Sequence, residues 1–275
     1  MIDVDGFRQY LYEEEMSRNT VVSYVKSVTL YAEKFDEITK GNLIEFKQEQ
    51  LAKFKPSTVN LRIAALMSYC RYAKIPAKLK PIKMPSKNYV ENVITQEQLD
   101  TLIRCLEAAG KRCWVVNVRL LSMTGMRISE ALRVKKSDIE AGQITMHTKG
   151  HMRTIYFPAS LVEDISEDIA DLSLSDQVIR CCGPGKRRQY KTVPIKSSAG
   201  FRNSLNKLGQ RYGIPKEVLH PHSFRHFFAL EFLKENPDIA LLSDILGHRS
   251  IDMTRIYLRR SQEQLKDAVD KTVNW

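Results

Sequence analysis

The sequence predicts a mainly α-helical protein with one small antiparallel β-sheet, and three observations predict that fold class. Apolar residues recur at steps of three and four along most of the chain, which is the helical period. Helix-capping signals precede some of these stretches, such as the capping box Thr95-Gln-Glu-Gln98. One stretch differs, because 144–148 and 153–157 read as two strands on either side of Lys149-Gly150-His151-Met152.

The first 77 residues are predicted to form a compact helical unit. Its apolar stripes with helical spacing begin at Val4, Val21, Leu43 and Val59. Pro56 precedes the last of these stripes, and Ser57 or Thr58 is expected to cap the helix that carries it. Nothing in this unit resembles catalytic chemistry.

Residues 78–92 read as a linker to a second domain, 93–275. Pro81 and Pro85 discourage helix there, and lysines keep the segment solvated. Those lysines are Lys78, Lys80, Lys83 and Lys87. An ordinary linker is the simpler interpretation, and a linker that also contacts phosphates is the functional one.

The second domain is predicted to be helical on both sides of its hairpin. A helix follows the capping box at Thr95, and another is expected at 114–123, ending before Gly125. Later helices are expected at 159–171, 198–211, 223–235, 238–246 and 262–272.

Charge and composition narrow the class of function. Lys and Arg number 43 against 32 Asp and Glu, a net charge of +11 with a pI near 9.4. This surplus favours nucleic acid as a partner, although a solvated basic surface would explain it as well. No apolar run approaches the ~20 residues of a membrane span. The acidic start lacks the features of a signal peptide, so we expect a cytoplasmic protein without a membrane partner.

Six residues supply the groups that cleave a phosphodiester without a metal. Such a cleavage needs an attacking oxygen, positive charge on the non-bridging oxygens, a proton for the leaving alkoxide and groups that hold the phosphate in line. The candidate residues are Arg127, Lys149, His222, Arg225, His248 and Tyr257.

The two arginines suit the charge requirement, because a guanidinium is always charged and grips two oxygens at once. Arg127 follows a Thr-Gly break at a helix start, where backbone N–H groups also favour anions. Arg225 shares a helical face with His222, three residues earlier. Taken alone, each arginine is more often a surface residue.

The remaining candidates supply a nucleophile and proton carriers. Tyr257 is one of 11 tyrosines and attacks well only when it loses its proton beside cationic groups. Lys149, at the hairpin tip, could protonate a leaving 5′-oxygen. His222 and His248 could exchange the nucleophile's proton and bond the phosphate. Taken alone, these are more often core, turn or structural residues.

Three other histidines, His151, His220 and His226, are read as neighbours without a role. The pair His220-Pro-His222 suggests a metal, but no carboxylate or third ligand follows at a fitting spacing. Five cysteines contain no Cys-x-x-Cys pair, so a zinc site is not expected either. We therefore expect no metal.

In their order and spacing these residues resemble the tyrosine recombinase, or phage integrase, family, and within it the Xer and Cre type. The motifs are Thr124-Gly-Met-Arg127-Ile-Ser-Glu130, Lys149-Gly150, His222-Ser-Phe-Arg225-His226 and Leu246-Gly-His248, ahead of Tyr257. Residues 1–77 are similar to the family's helical, SAM-like core-binding domain, with Arg18-Asn-Thr-Val-Val-Ser-Tyr and Ser57-Thr-Val-Asn-Leu-Arg. Residues 93–275 resemble its catalytic domain. We expect no arm-binding domain, and this favours the Xer and Cre type over a lambda-type integrase.

The resemblance implies a site-specific DNA recombinase that works through a 3′-phosphotyrosyl intermediate. Tyr257 would attack the scissile phosphate and release a 5′-hydroxyl. Arg127 and Arg225 would stabilise the pentavalent transition state, and His248 would bond a non-bridging oxygen.

The resemblance also assigns the proton carriers and a supporting carboxylate. His222 would manage the proton of the tyrosine, and Lys149 would be the general acid. Glu130, one helical turn from Arg127, would orient that arginine or its neighbours. No cofactor is implied, neither ATP nor a metal.

The implied partner is double-stranded DNA at inverted-repeat core sites, bound by a homotetramer on two such sites. A C-terminal helix at 262–275 would dock into a neighbouring subunit. The basic loop with Lys186, Arg187 and Arg188 is either a DNA contact or a solvated loop. Such an enzyme would act at the nucleoid.

Two other functions remain open at this point. A type IB topoisomerase uses similar chemistry to relax one duplex, but the short two-domain chain favours a recombinase. A non-catalytic DNA-binding regulator would not need the intact set of candidate residues.

Overall fold

The structure is a computed structural model that describes residues 2–84, 90–148, 151–182, 192–248, 250–258, 266 and 269–273. The side chains of Thr148, His151 and Cys182 are outside that description. The chain divides into two compact units, Met1–Ser86 and Lys87–Trp275. Each unit has an apolar core of its own.

The first unit is helical, as expected. Its helices are α1 (Val4–Glu13), α2 (Arg18–Ala32), α3 (Lys40–Lys53) and α4 (Pro56–Tyr72). The helical stripes meet in one core, in which Phe7, Leu11, Tyr31 and Leu66 are fully buried. Burial of such side chains contributes about 1.5–3 kcal/mol each, compared with about 1 kcal/mol for a typical helix cap.

The cap expected for α4 was wrong. The helix begins at Pro56 itself, and Lys55 is the N-cap residue. Ser57 and Thr58 therefore lie inside the first turn. Proline suits the first helical position because its fixed φ matches the helix and its missing N–H would have no partner there.

The lysine-rich segment after α4 lies along the first unit as far as residue 84. The Asn60 side chain brackets Ile82, donating to its carbonyl at 2.9 Å and accepting from its N–H at 2.7 Å. The Lys47 ammonium donates to the Lys80 carbonyl. The side chains of Lys78, Lys80 and Lys83 are exposed, whereas Lys87 lies outside the described residues.

The second unit contains longer helices and two short sheets. Its α-helices are α5 (Gln96–Ala108), α6 (Arg112–Thr124), α7 (Ile128–Ala131), α8 (Lys136–Glu140), α9 (Ala159–Ser166), α10 (Ser198–Arg211), α11 (Pro221–Glu235) and α12 (Ile239–Leu246). Its strands are β1 (Gln143–Thr148), β2 (His151–Tyr156), β3 (Arg180–Cys182) and β4 (Thr192–Pro194). Short 3-10 helices lie at Glu167–Ile169, Ile251–Met253 and Arg255–Leu258.

The helix α6 is the centre of the second unit. Val118, Leu120 and Leu121 are fully buried, and the helix packs against α5 and α11. The Asn117 side chain both donates to and accepts from the backbone of Arg180, which joins the buried helix to β3. Because α6 is enclosed by apolar side chains, its C-terminal end is a fixed point from which the next residues project.

The predicted fold class is confirmed, with differences in detail. β1 and β2 form the predicted antiparallel hairpin, with Met146 opposite Arg153. The helix expected at 159–171 is α-helical only to Ser166 and then narrows to a 3-10 turn. The pair β3–β4 was not predicted, because three-residue strands show no usable alternation.

The last expected helix, 262–272, is only partly described, and 269–272 are helical. Among the described residues, no helix has both the length and the apolar character needed to cross a bilayer.

We expect Leu66→Ala to destabilise the first unit by about 2–5 kcal/mol, because it opens a cavity among fully buried side chains. Hydrogen exchange of the full chain in urea measures this: amides within 2–84 should lose protection while those of α6 keep it. Leu61→Ala on the same helix is the control, since Leu61 is 44% exposed and its truncation should cost no more than about 0.5 kcal/mol. Equal losses in both variants would contradict the assigned core.

Candidate active site

The end of α6 places the first candidate arginine. Gly125 follows the helix with φ +59, and a Cβ at this position would collide with the Phe228 ring. Glycine adopts this left-handed conformation without strain. The chain therefore turns sharply, and Arg127 becomes the N-cap residue of α7.

The helix α11 carries three further polar side chains of the site. Its N-cap, His220, accepts from the backbone of Ser223, and Pro221 is the first helical residue. His222 is exposed, Arg225 is only 4% exposed, and His226 is half-buried. Desolvation and the charge of Arg225 lower the pKa of His222.

Three arginine side chains bind to the C-terminal end of α12. The helix ends at Gly247, which has φ +62. The carbonyl of Ile245 accepts from Arg153 at 2.6 Å, that of Leu246 from Arg225 at 2.7 Å, and that of Gly247 from Arg127 at 3.2 Å. We call these three oxygens the carbonyl cap. The last carbonyls of a helix lack partners within the helix and carry its partial negative charge, so cations are favoured there.

A buried carboxylate joins two of these arginines. Glu130 is 3% exposed and accepts from Arg153 Nη1 at 2.8 and 3.0 Å. It also accepts from Arg127, from Nη1 at 3.1 Å and from the backbone N–H at 2.7 Å. Glu130 thus contacts Arg127 as an orienting carboxylate must.

Arg225 and Arg153 are held away from water. Arg225 donates to the Gly125 carbonyl at 2.8 Å as well as to the carbonyl cap. Desolvation, together with the charges of Arg127 and Arg153, lowers the pKa of Arg225 to about 9. Desolvation also lowers the pKa of Arg153. Arg225 remains charged at neutral pH, so three cations and one carboxylate give this cluster a net charge of +2.

A cleft of about 850 Å³ opens beside the cluster. Arg127, Glu130, Arg153, Gly247 and His248 line part of it. The positive cluster makes this cleft suited to an anion, and guanidinium groups suit a phosphate in particular.

His248 follows the carbonyl cap directly. Its Nδ1 lies 2.7 Å from the hydroxyl oxygen of Thr254, a residue that is fully buried. Desolvation and the nearby arginines lower the pKa of His248 to about 4. The ring is therefore neutral at pH 7 and is fixed at one nitrogen.

Tyr257 lies in the short helix Arg255–Leu258 and is 8% exposed. Its ring belongs to an apolar cluster with Ala229, Leu242 and Leu246. Its hydroxyl oxygen lies 2.8 Å from Nδ1 of His226. Burial raises the pKa of Tyr257, and the charge of Arg225 opposes that rise.

The structure thus brings Arg127, Arg225, His248 and Tyr257 together with Glu130. Tyr257 lies within electrostatic reach of Arg225 in the same chain. His222 lies on the same helix as Arg225, at the exposed edge of the site.

Several predicted residues cannot be placed. Lys149, between β1 and β2, lies outside the described residues, as do Lys186, Arg187 and Arg188. Within the described ranges, no group of three or more His, Cys, Asp or Glu side chains is arranged to hold a metal ion.

Sequence reasoning missed two residues of the site. Arg153 is 7% exposed and lies two residues before buried Ile155, on the same face of β2. That two-residue period was a signal that Arg153 faces inward. His226 was interpreted as a neighbour without a role, yet its ring contacts the Tyr257 hydroxyl. Its position one residue after Arg225 gave no signal of that contact.

Two family models match the chain. The phage integrase family matches residues 92–264, and the SAM-like N-terminal domain of phage integrases matches residues 4–75. The chain belongs to the phage integrase family. The resemblance to this family that the sequence motifs indicated is thereby confirmed. The two-domain type, with a SAM-like and a catalytic domain, is confirmed as well.

Relatives support the same class. The tyrosine recombinase XerA of Thermococcus onnurineus is 28% identical over 276 residues, covering 98% of this chain and 94% of that protein. Among solved structures, XerH bound to its difH substrate has a TM-score of 0.65 at 19% identity, covering 92% of this chain and 80% of that one. A lambda integrase dimer bound to a COC' core site has a TM-score of 0.70 at 16% identity, with 94% of each chain covered. At these identities the solved structures show the shared fold.

The enzyme class predicted from the sequence is also confirmed. The chain is a tyrosine-type site-specific DNA recombinase. The topoisomerase and regulator alternatives are not favoured, because the named relatives are recombinases.

We expect Arg153→Met to destabilise the second unit by roughly 3–5 kcal/mol, because it leaves the buried Glu130 carboxylate without its main partner. Methionine fills much of the volume of the arginine stem, so the loss reports the missing charge. Urea unfolding followed by circular dichroism measures it. Arg133→Met is the control, since Arg133 is exposed and lies shortly after α7, which contains Glu130.

The double variant Arg153→Met with Glu130→Gln removes both charges and should recover part of that loss, as replacement of a whole buried pair commonly does. A cost for Arg153→Met no larger than that of Arg133→Met would show that the pair contributes nothing.

Proposed function

We propose that this recombinase cleaves and rejoins DNA by attack of Tyr257 on the scissile phosphate. The observation that carries the proposal is the position of the Tyr257 hydroxyl, which contacts His226, the residue after Arg225 on α11, and lies within electrostatic reach of Arg225 in the same chain. Attack forms a bond from the tyrosine oxygen to the 3′-phosphate and breaks the bond to the 5′-oxygen. The phosphotyrosyl bond keeps the energy of the broken bond, so a 5′-hydroxyl of a partner strand can reseal the DNA.

Arg127 and Arg225 take the role of stabilising the transition state. Each guanidinium has five N–H donors, and the carbonyl cap and Glu130 engage only part of them. The engaged donors fix the plane of each group before the phosphate arrives. Such preorganised charge is typically the largest contribution to catalysis of this kind. His248, neutral and held at Nδ1 by the Thr254 hydroxyl, donates from Nε2 to a non-bridging oxygen.

The remaining roles concern protons. Lys149 is the general acid that protonates the leaving 5′-oxygen, delivered by the hairpin β1–β2. Arg153 anchors that hairpin to the carbonyl cap, so the strand that follows Lys149 is held against the arginine cluster. His222, at the exposed edge of the site, participates in transfer of the tyrosine proton. Glu130 orients Arg127.

The substrate is double-stranded DNA with inverted-repeat core sites, and the assembly is a homotetramer on two sites. The net charge of +11 supports a polyanionic partner. Candidate phosphate contacts are Lys78, Lys80, Lys83, Lys87, Lys186, Arg187 and Arg188. The relevant compartment is the cytoplasm, at the nucleoid.

The C-terminal helix docks into a neighbouring subunit. In the described part of the tail, Val269 is 58% exposed and Val273 is 47% exposed. Exposed apolar side chains on a helix and directly after it are suited to a groove on another protein.

Tyr257→Phe should bind DNA and form no covalent adduct. Randomised duplexes selected on Tyr257→Phe identify the inverted repeat, and a nicked duplex carrying that repeat then traps covalent adducts of the wild type, resolved by denaturing electrophoresis. Arg127→Ala or Arg225→Ala should lower the rate of adduct formation by about 10²–10³-fold, as loss of one charge-stabilising donor does.

Tyr12→Phe is the matched control, since Tyr12 is 50% exposed and far along the chain from the site. An adduct in Tyr257→Phe equal to that of the wild type would overturn the proposed nucleophile.

Deletion of 262–275 should abolish recombination between two sites and leave binding to a single site largely intact. Val269→Asp should act in the same direction, because it places a charge on the docking face. Leu174→Asp is the control, since Leu174 is an apolar residue of the same unit that is exposed to a similar degree as Val269. Gel assays of binding and of recombinant joints separate the two steps, and recombination retained by the truncated chain would argue against docking.

A further inference from the structure

His226 is the side chain that contacts the hydroxyl of Tyr257. Its Nδ1 lies 2.8 Å from that oxygen, and the two ring centroids are 5.6 Å apart at an interplanar angle of 57°. A candidate base must lie within hydrogen-bond reach of the proton that it removes, and His226 meets this requirement directly.

The other two histidines near the site are placed differently. His248 Nδ1 faces the Thr254 hydroxyl. The His222 ring centroid is 6.3 Å from that of His226, and His222 is exposed. Of these three rings, the one in hydrogen-bond contact with the tyrosine oxygen is that of His226.

The surroundings of His226 favour its neutral, proton-accepting form. Burial is the main cause that lowers its pKa to about 4, and the charges of His222, His220 and Arg225 on or beside its own helix act in the same direction. From the neighbouring segments, His248 is also within electrostatic reach, and Tyr257 faces the ring. An arriving phosphate adds negative charge to this surrounding and favours the protonated ring during the reaction.

We propose that His226 is the general base that takes the phenolic proton of Tyr257. This inference rests on the proposed function of Tyr257 as the nucleophile. As the tyrosine oxygen bonds to phosphorus, its proton passes to Nδ1 of His226 and the bond to the 5′-oxygen breaks. That oxygen receives its own proton from the general acid. The exposed His222 ring then relays the proton of His226 toward solvent, which gives His222 a secondary part.

Two variants separate a base from a mere hydrogen-bond partner. His226→Asn keeps a polar atom near the position of Nδ1 but cannot take up a proton. His226→Phe removes both properties and keeps the ring volume. Both should lower the rate of covalent adduct formation on the nicked selected duplex by about 10²-fold or more at pH 7, the usual contribution of a general base.

The pH profile of that rate distinguishes loss of the base from structural damage. Without a base, only the tyrosinate reacts, and its fraction rises about tenfold per pH unit at every pH below the raised pKa of Tyr257. The deficit of His226→Asn should therefore shrink about 100-fold between pH 7 and pH 9. A wild-type rate in His226→Asn, or a deficit that does not change with pH, would overturn the proposal.

A second substrate distinguishes a defect in removing the proton of Tyr257 from a defect in protonating the leaving group. With sulfur in place of the bridging 5′-oxygen, the leaving group needs no proton. Lys149→Ala should recover its rate on this duplex, and His226→Asn should not. Recovery by His226→Asn would assign His226 to the leaving group and overturn its role as the base for Tyr257.

Nitrogen NMR of the free protein tests the required tautomer without DNA. The proposal requires the proton of neutral His226 on Nε2, with Nδ1 as the acceptor, and a changed Nδ1 signal in Tyr257→Phe. A proton on Nδ1 would overturn it. His147→Asn is the control variant, since His147 is exposed on β1. Failure of the proposed function is distinguishable, because the wild type would then form no adduct at Tyr257 at any pH.

Discussion

The site depends on one interaction, the grip of three arginines on the end of α12. Arg153, Arg225 and Arg127 each donate to a different one of three successive carbonyls. Helix ends leave such carbonyls without partners, and cations lower their energy. The same bonds that complete the helix therefore hold the guanidinium groups in fixed planes. The left-handed turn at Gly247 follows at once and directs His248 to the same cleft.

This arrangement solves a problem of charge. Three guanidinium groups close together repel one another, and burial lowers the pKa values of Arg225 and Arg153. The carboxylate of Glu130 and the helix carbonyls offset part of that cost. They do not neutralise the cluster, so a net positive charge remains. A phosphate that enters the cleft is attracted by positive guanidinium groups that are already in position.

Local signals predicted most of the fold, and long-range contacts account for what they missed. The helix expected at 198–211 is observed with those bounds, because its apolar spacing and its N-cap are both local. The pair β3–β4 has three residues in each strand, too few for a period to be seen. Arg153 reaches a carbonyl 92 positions away, and His226 reaches a hydroxyl 31 positions away. Spacing within a window cannot report such partners.

The members of the candidate site follow the same rule. Arg127 and Arg225 were found because each lies in a short motif, and Tyr257 because it follows Leu246-Gly-His248 at a fitting distance. The motif also contained His226, but adjacency to Arg225 says nothing about which way a ring points. On α11, consecutive residues face directions about 100° apart. Only the fold shows that this turn aims the ring at the tyrosine.

The two apolar cores have no residue in common. Substitutions inside the core of residues 2–84 therefore replace no member of the buried clusters in the second unit. Such a division allows residues 2–84 to diverge in sequence without a compensating change among the residues of the site. Separate cores of this kind allow substitutions to accumulate in one part of the chain while the residues of the site are kept.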